Sequence, residues 1–445
     1  MASDLLSIAR SGTQAARVAL DVTAQNIANA SSEGYVRRSV RLEEVAASGG
    51  YGRIADVSLS GVRLDRVIRN ADAFRQAEVR RTGSDFARAS AEVSGLENIE
   101  AAIEQSSAFP SIVEFEGALQ QLASDPVDPS LRAAVIERAR TMTRTLNLAA
   151  TSIEAAGQNL RFEAADGVDQ VNLLSGELAR VNLRLTRAAD ASSDQTALLD
   201  QRDLLLQKMS EYADVTTTFA ADQTVEVRLG GTSGPQIVAG GSAFALAMAT
   251  DSEGRISFDV AGTPVSPAAG SLAGKGQALD HIVGVRGTLN DIADTLILTV
   301  NTAQAGGVAL DGSPGVPMLT GSGAAGIALA FEDGALIATA PAGASANSRD
   351  ASNLGALRTA LGLADPAGAM DALIFDISST VQGRTVTRDA LASIASTARV
   401  SLQAQAGVDL DQEAVNLIRF QQAFEASGRV MQVANDLFDT LLGIR

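Results

Sequence analysis

Cysteine is absent from the 445 residues, so neither disulfides nor thiolate metal sites are open to this chain. Tryptophan is absent too and histidine occurs once, which makes histidine-based catalysis and histidine-rich metal sites poor readings. No apolar run approaches the ~18 residues needed to cross a bilayer. The N-terminus also lacks a cleavable signal pattern, because Asp4 comes early and Leu5 to Ile8 is far too short. The net charge is −17, against the basic footprint that nucleic acid requires. Positive charge is scarce and uneven. Only Lys208 and Lys275 are lysines, and residues 1–90 carry thirteen Arg against ten acids, leaving −20 for the rest. Aromatics make up 4% while Ala and small polar residues abound, which suits helices packed along their length better than a thick globular core.

What the chain does have lies at its ends. From Leu410 the apolar residues recur at four-, three- and seven-residue steps: Leu410, Ala414, Leu417, Phe424, Met431, Phe438 and Leu442. A second stripe, Phe420, Ala423, Val430, Ala434, Leu437 and Leu441, runs beside it. This spacing predicts a helix of about 35 residues, apolar over a wide face. At the other end Leu5, Ile8, Gly12, Ala15, Ala19 and Val22 follow the same spacing, with small residues at the middle steps that let another helix approach closely. Each helix alone is marginal in water, and the wide stripe is too large for one partner. The expectation is that the two ends pair with each other and then with neighbouring copies.

Between the ends the pattern changes several times. Gly34 is the expected stop of the first helix. Val36 to Leu42 and Ile54 to Val67 alternate like two extended segments around the loop Ser48-Gly49-Gly50-Tyr51-Gly52. Arg37, Arg38 and Arg41 read as solvated faces of an edge strand, with a basic patch as the alternative. Helices are expected from Asn70 to Tyr212, interrupted at Pro110 and at the Pro126–Pro129 turn. A 3/4 repeat holds from Ile136 to Leu185, a coiled-coil-like seam whose glycines imply close contact or a bend. After a turn at 190–194 another helix is expected from Leu198 to Tyr212. From Val215 to about Ala340 the period becomes two, with strands expected at 225–229, 256–260 and 336–339 and one helix at 289–300. Helix returns near Pro366 and again from Thr387 to Gln405, Gly407 breaks it, and Asp409 or Asp411 is placed to cap the last helix.

Motifs of chemistry are weak. Gly321-Ser322-Gly323-Ala324-Ala325-Gly326 fits the dinucleotide fingerprint literally, but Pro314 and Pro317 precede it where a strand should end and Ile327 to Phe331 alternates where a helix should begin. Gly274-Lys275 lacks the Walker spacing. His281 reads as a structural or surface residue, and Glu332-Asp333 sits in a turn before Gly334. Nothing points to an enzyme, a metal or a cofactor. Asn26 and Asn29 suit a helix end, and a polar residue on an apolar seam also sets register.

Two stretches carry a resemblance. Ala24-Gln25-Asn26-Ile27-Ala28-Asn29-Ala30, continuing through Gly34-Tyr35-Val36-Arg37-Arg38, resembles the N-terminal signature of the bacterial flagellar axial proteins of rod and hook. Ser32-Glu33 stands where that family commonly has Thr-Pro, a departure expected to alter only the turn. Glu413 to Ser427, continuing to Leu437-Phe438-Asp439-Thr440-Leu441-Leu442, is similar to its C-terminal signature. Leu198-Leu199-Asp200-Gln201-Arg202-Asp203-Leu204-Leu205-Leu206 resembles a segment of the hook-associated members at the hook–filament junction. Its charges read as a solvated face. Arg202, with no acid three or four residues away, is expected either to find a partner on another helix or subunit or to stay free.

The resemblance implies an α+β protein of long helices with an inserted β-rich domain and discontinuous domains. These are a terminal polymerisation domain at 1–35 and 408–445, a helical arm at 36–214 and 366–407, and an outer insert at 215–365. It implies a structural subunit exported without cleavage to the extracellular flagellum. Its partners would be copies of itself, the hook protein, the second junction protein, and an export chaperone and apparatus. Stripes and resemblance together mark Leu5, Ile8, Ala15, Val22, Asn26, Asn29, Gly34, Tyr35, Leu417, Phe420, Gln421, Phe424, Met431, Leu437, Phe438, Leu441 and Leu442 as polymerisation residues. Asp200, Arg202 and Asp203 are marked as contacts of the arm. A rod or hook subunit, and a secreted coiled-coil effector or adhesin, are the alternatives.

Overall fold

The computed structural model describes residues 2–46, 59–190 and 192–443. The chain opens with helix α1 (Ala2–Ala28), followed by strands β1 (Arg38–Ala46) and β2 (Leu59–Arg69). Four helices come next: α2 (Ala73–Ser106), α3 (Ala108–Leu122), α4 (Pro129–Leu185) and α5 (Ser193–Tyr212). The strand block holds β3 (Val215–Phe219), β4 (Val225–Leu229), β5 (Gln236–Ala239), β6 (Ser242–Ala243), β7 (Leu246–Thr250), β8 (Ile256–Val260) and β9 (Thr263–Val265). Helix α6 (Ser271–Ala305) then leads into short pieces: β10 (Gly307–Val308), β11 (Leu319–Thr320), the single turn α7 (Gly323–Gly326), β12 (Ala328–Leu329) and β13 (Ala340–Pro341). The helices α8 (Ser352–Ala364), α9 (Pro366–Ala406) and α10 (Leu410–Gly443) complete it.

Local chemistry explains the boundaries. Asp128 Oδ1 accepts from the amides of Ser130 and Leu131 at 2.7 and 3.0 Å, and Pro129 occupies the first position of α4, where its missing N–H costs nothing. Asp365 and Pro366 repeat that arrangement for α9. Ser192 caps α5, accepting from Gln195 N at 3.1 Å. Asp409, not Asp411, caps α10, accepting from the amides of Asp411 and Gln412 at 3.0 and 3.2 Å. The break expected at Pro110 falls at Ser107, which takes φ 59°. Pro110 itself sits in the first turn of α3, where proline is tolerated.

The chain forms two compact units. One takes Met1–Gly83, Asn172–Ala245 and Ala392–Arg445, the other Ser84–Val171 and Leu246–Leu391. Helices α2, α4 and α9 supply residues to both. In the first unit β1 and β2 pair antiparallel from Arg38 opposite Arg69 to Ala46 opposite Leu59. The strands β3-β4-β5-β6 form an antiparallel meander. Asn182 on α4, fully buried, holds that sheet by donating to the carbonyls of Val225 and Gly240 and accepting from Val225 N. The core of the second unit is helical, with Ile112, Phe115, Met142, Leu146, Leu289 and Leu296 among its buried side chains. Buried Arg132 ties down a loop there, donating to the carbonyls of Pro126, Gly334 and Ile337 and to Thr339 Oγ1.

Several expectations change. α1 ends at Ala28, six residues before Gly34, because the segment after it folds into successive turns. The helix expected at 289–300 runs from Ser271 to Ala305. Its glycines weaken the sequence signal, yet one of them lets α2 and α6 touch: a Cβ on Gly274 would overlap the Arg88 carbonyl. The strand expected at 336–339 is a 3-10 turn at Gly334–Leu336, capped by Asp333. The helix α8 was not anticipated, and α9 runs unbroken through Gly383. The Gly321–Gly326 motif spans one helical turn between β11 and β12, with no long helix for a pyrophosphate to meet. The loop at 48–52, with Ile54 and Val57, and Ala191 of the 190–194 turn lie outside the described residues.

Candidate assembly interface

The helices α1 and α10 pack side by side and antiparallel, since Asn26 meets Glu413 and Gly12 meets Ser427. Gly12 permits that approach: a Cβ there would stand 2.8 Å from Ser427 Oγ. The buried face of α1 is Ala9, Ala15, Ala16, Ala19, Val22 and Thr23, small enough for close contact. α10 gives up little of its own surface in return. Among its described side chains only Glu413 and Ala434 are buried, and Leu417, Phe420 and Met431 are partly covered. Phe424, Leu437 and Phe438 stay 39%, 45% and 53% exposed, with Leu410, Val415, Ile418, Val430 and Val433 also open. Leu5 and Ile8 of α1 are 40% and 36% exposed as well. Asn29 is half-buried and Gln421 exposed, and Leu441 and Leu442 lie outside the residues whose side chains are described.

Where α1 ends, a polar joint takes over. Buried Asn26 accepts from Tyr35 Oη at 2.9 Å and Arg38 N at 3.0 Å through Oδ1. Its Nδ2 donates to Arg38 O at 2.8 Å and Glu413 Oε2 at 3.2 Å. Glu413 Oε1 in turn accepts from Arg37 Nε at 2.8 Å, so the first turn of α10 is fastened to the exit of α1. Asn29, by contrast, donates to Gln25 O and only closes the helix end. Gly34 takes φ +78° with Leu204 of α5 against it, a conformation and a space that favour glycine.

The three charged residues marked on α5 continue the joint inward, and they are buried, not solvated. Asp200 accepts from Arg69 Nε at 2.6 Å and Arg38 Nη2 at 3.4 Å. Asp203 accepts from Arg202 at 2.8 and 3.0 Å and from Gln76 Nε2 at 2.9 Å. Arg69 Nη2 stands 2.8 Å from its other oxygen. Arg202 finds its partners one residue away and in the sheet: besides Asp203 it donates to Gln223 O and lies over the Phe219 ring. Burial pushes the Asp200 carboxyl above its usual pKa, and Arg69 and Arg38 offset this only in part. Asp203 is also raised by burial, but Arg69 and Arg202 outweigh it and hold the carboxyl below its usual range.

Arg37 and Arg38 therefore do not form a solvated strand face; Arg41 does, exposed near Asp65. Glu413, Arg38 and Arg69 were not anticipated as members of this network. Arg38 and Arg69 reach Asp200 from 162 and 131 residues away and Glu413 reaches Asn26 from 387, and the missing helical partner of Arg202 was the one local sign. His281 is half-buried in the second unit, in a shallow cavity with Glu92, Asp376 and Arg384. Among the described residues no group of acids and histidines could hold a metal ion, and no helix is long and apolar enough to cross a membrane.

Two terminal helices are clasped antiparallel, with most of one helix left open, and both ends match models of flagellar axial proteins. A model described as flagella basal body rod protein matches residues 6–35, and one described as flagellar basal body rod FlgEFG protein C-terminal matches 403–444. A third, flagellar hook-associated protein FlgK helical domain, matches residues 93–319, just over half of the chain. The chain belongs to the flagellar hook-associated protein family. It is 24% identical to flagellar hook-associated protein 1 of Bacillus subtilis over 98% of this chain and 97% of that one. To the proteins of the same name from Escherichia coli and Salmonella typhimurium it is 24% and 26% identical over 55% of this chain, reaching 45% and 44% of theirs. The structure of the flagellar hook junction protein FlgK from Burkholderia pseudomallei shares the fold, with a TM-score of 0.64 at 14% identity over 74% of this chain and 99% of that one.

Proposed function

We propose that this chain is a structural, non-enzymatic subunit that joins flagellar hook to filament, assembling with copies of itself through 1–35 and 408–445. The observation that carries the reading is the open apolar face of α10 beside Leu5, Leu6 and Ile8. Each large apolar side chain removed from water there contributes about 1.5–3 kcal/mol, enough over the whole face to offset much of the entropy of ordering two long helices. Contacts between copies are head-to-tail, since only a heterologous interface propagates along an axis. The hook protein lies below the subunit, the second junction protein above it, and export precedes assembly with a chaperone covering the ends.

Val433→Asp with Leu437→Asp in the full chain tests this, because both side chains are 57% and 45% exposed and neither holds the fold. The expected result is a folded, soluble protein that no longer adds to hooks and leaves a deletion strain non-motile, secreting unpolymerised filament protein. Normal motility of that strain, or of the deletion itself, overturns the reading and leaves an adhesin or effector role. Electron microscopy that placed the protein along the hook shaft would make it a hook subunit.

A further inference from the structure

Beside the joint, within the first unit, lies a cavity of about 400 Å³. Its walls include both connections of the terminal pair: 30–36, leaving α1, and 402–408, entering α10. The charged side chains lining it are Arg69, Arg80 and Arg399 against Glu33 and Asp203. Neither carboxylate is bonded to Arg80, although the charge of Asp203 acts on it. Glu33 is exposed and paired with Lys208 at 3.4 Å, and both oxygens of Asp203 are taken by Arg69, Arg202 and Gln76. Arg80 is 6% exposed, makes no ion pair among the described residues, and has one hydrogen bond, 3.5 Å from Nη2 to Thr217 Oγ1. Buried Arg69 Nη2 meets Asp203 only outside hydrogen-bond geometry. A buried guanidinium that shares the charge of Asp203 with Arg69 and Arg202 and has no anion bonded to it, facing a polar cavity, is incomplete.

We propose that this cavity binds a small oxyanion, a phosphate or carboxylate, on Arg80 with Arg69 and Arg399, and that the anion braces the joint between the terminal helix pair and the rest of its unit. The planar guanidinium fork matches carboxylate and phosphate oxygens. An anion on Arg80 touches a wall whose two edges lead into α1 and α10, so its binding free energy is added to the ordered joint. The oxyanion comes either free from solution or as a carboxylate side chain of a neighbouring copy.

Calorimetric titration of the dilute full chain with inorganic phosphate, and separately with citrate, tests this at constant ionic strength in chloride. Saturable binding is expected, about tenfold or more weaker in Arg80→Gln. Arg399→Gln, at an exposed position, gives the same direction without risk to the core, and exposed Arg349→Gln binds like the parent. Amide exchange at 30–36 and 402–408 slows when phosphate is bound. No saturable binding of either anion, or binding indifferent to both Arg80→Gln and Arg399→Gln, overturns the site; binding without slowed exchange overturns the brace. Phosphate retained when copies assemble identifies a free anion, and phosphate released identifies a neighbour's carboxylate. Because binding is read on the monomer, the site stands or falls independently of the junction role.

Discussion

At the scale of single residues, the buried charges of α5 separate into two roles by environment. Asp203 has more cationic help than its burial costs, so ionised Asp203 favours the fold. Asp200 has less, so its charge is held at a cost. Removing one member of a buried ion pair strands the other and costs about 3–5 kcal/mol. Asp203→Asn is therefore expected to lose about 3 kcal/mol at pH 7 by urea denaturation, and more than Asp200→Asn. The pH dependence has a definite sign. A carboxyl whose folded pKa is depressed contributes above its unfolded value, about 3.9, and loses that contribution as pH falls through the folded value. The gap between parent and Asp203→Asn should be full at neutral pH and narrow below about pH 3.9. Asp200 runs the other way: its proton is bound more tightly in the fold, so its term improves as pH falls. Equal costs at pH 7, or a gap that widens in acid, would contradict this assignment.

Elements were legible where their signal was local. The stripes of α1 and α10, the seam of α4, the return of helix near Pro366 and a cap at Asp409 or Asp411 depend on residues within a few positions of one another. The span of α6 was not legible, because Gly274, Gly276, Gly284 and Gly287 lower helix propensity while the reason for two close contacts lies on another helix. Gly274 faces the backbone of Arg88 and Glu92, and Gly95 faces Ala278 Cβ. Likewise Arg202 looked unpartnered from its own helix because its partners are its neighbour in sequence and a distant strand. The crossing makes a prediction. In Gly274→Ala the new Cβ would overlap the Arg88 carbonyl and stand 2.9 Å from Glu92 N, both backbone atoms that cannot rotate away. Thermal or urea unfolding should show a loss of about 2–3 kcal/mol. Gly117→Ala, on α3 with open space at its Cβ, should gain about 0.5–1 kcal/mol. At the terminal pair Gly12→Ala is expected to be tolerated, since Ser427 Oγ can turn aside. Gly12→Leu should part α1 from α10 and abolish addition to hooks, and assembly by Gly12→Leu at the parental rate would remove the close approach from the account.

For the molecule as a whole, the distribution of burial separates what folds alone from what copies must complete. α6 has buried side chains along its whole length, from Leu272 to Gln304. α10 is nearly as long, 34 residues against 35, yet among its described side chains only Glu413 and Ala434 are buried. A long helix with one narrow contact is held mainly by that contact, since its own propagation is marginal. Local opening then costs far less than global unfolding. Hydrogen exchange of the dilute full chain should show α6 amides protected nearly to the global limit. Amides of 418–443 should exchange orders of magnitude faster, and those near Glu413, fastened to Asn26 and Arg37, should fall between. Assembly onto hooks should raise protection across 418–443 and leave α6 unchanged, because only the open face gains partners. If α10 in the lone chain were already as protected as α6, its apolar face would not be waiting for another copy, and assembly would need a different driving force.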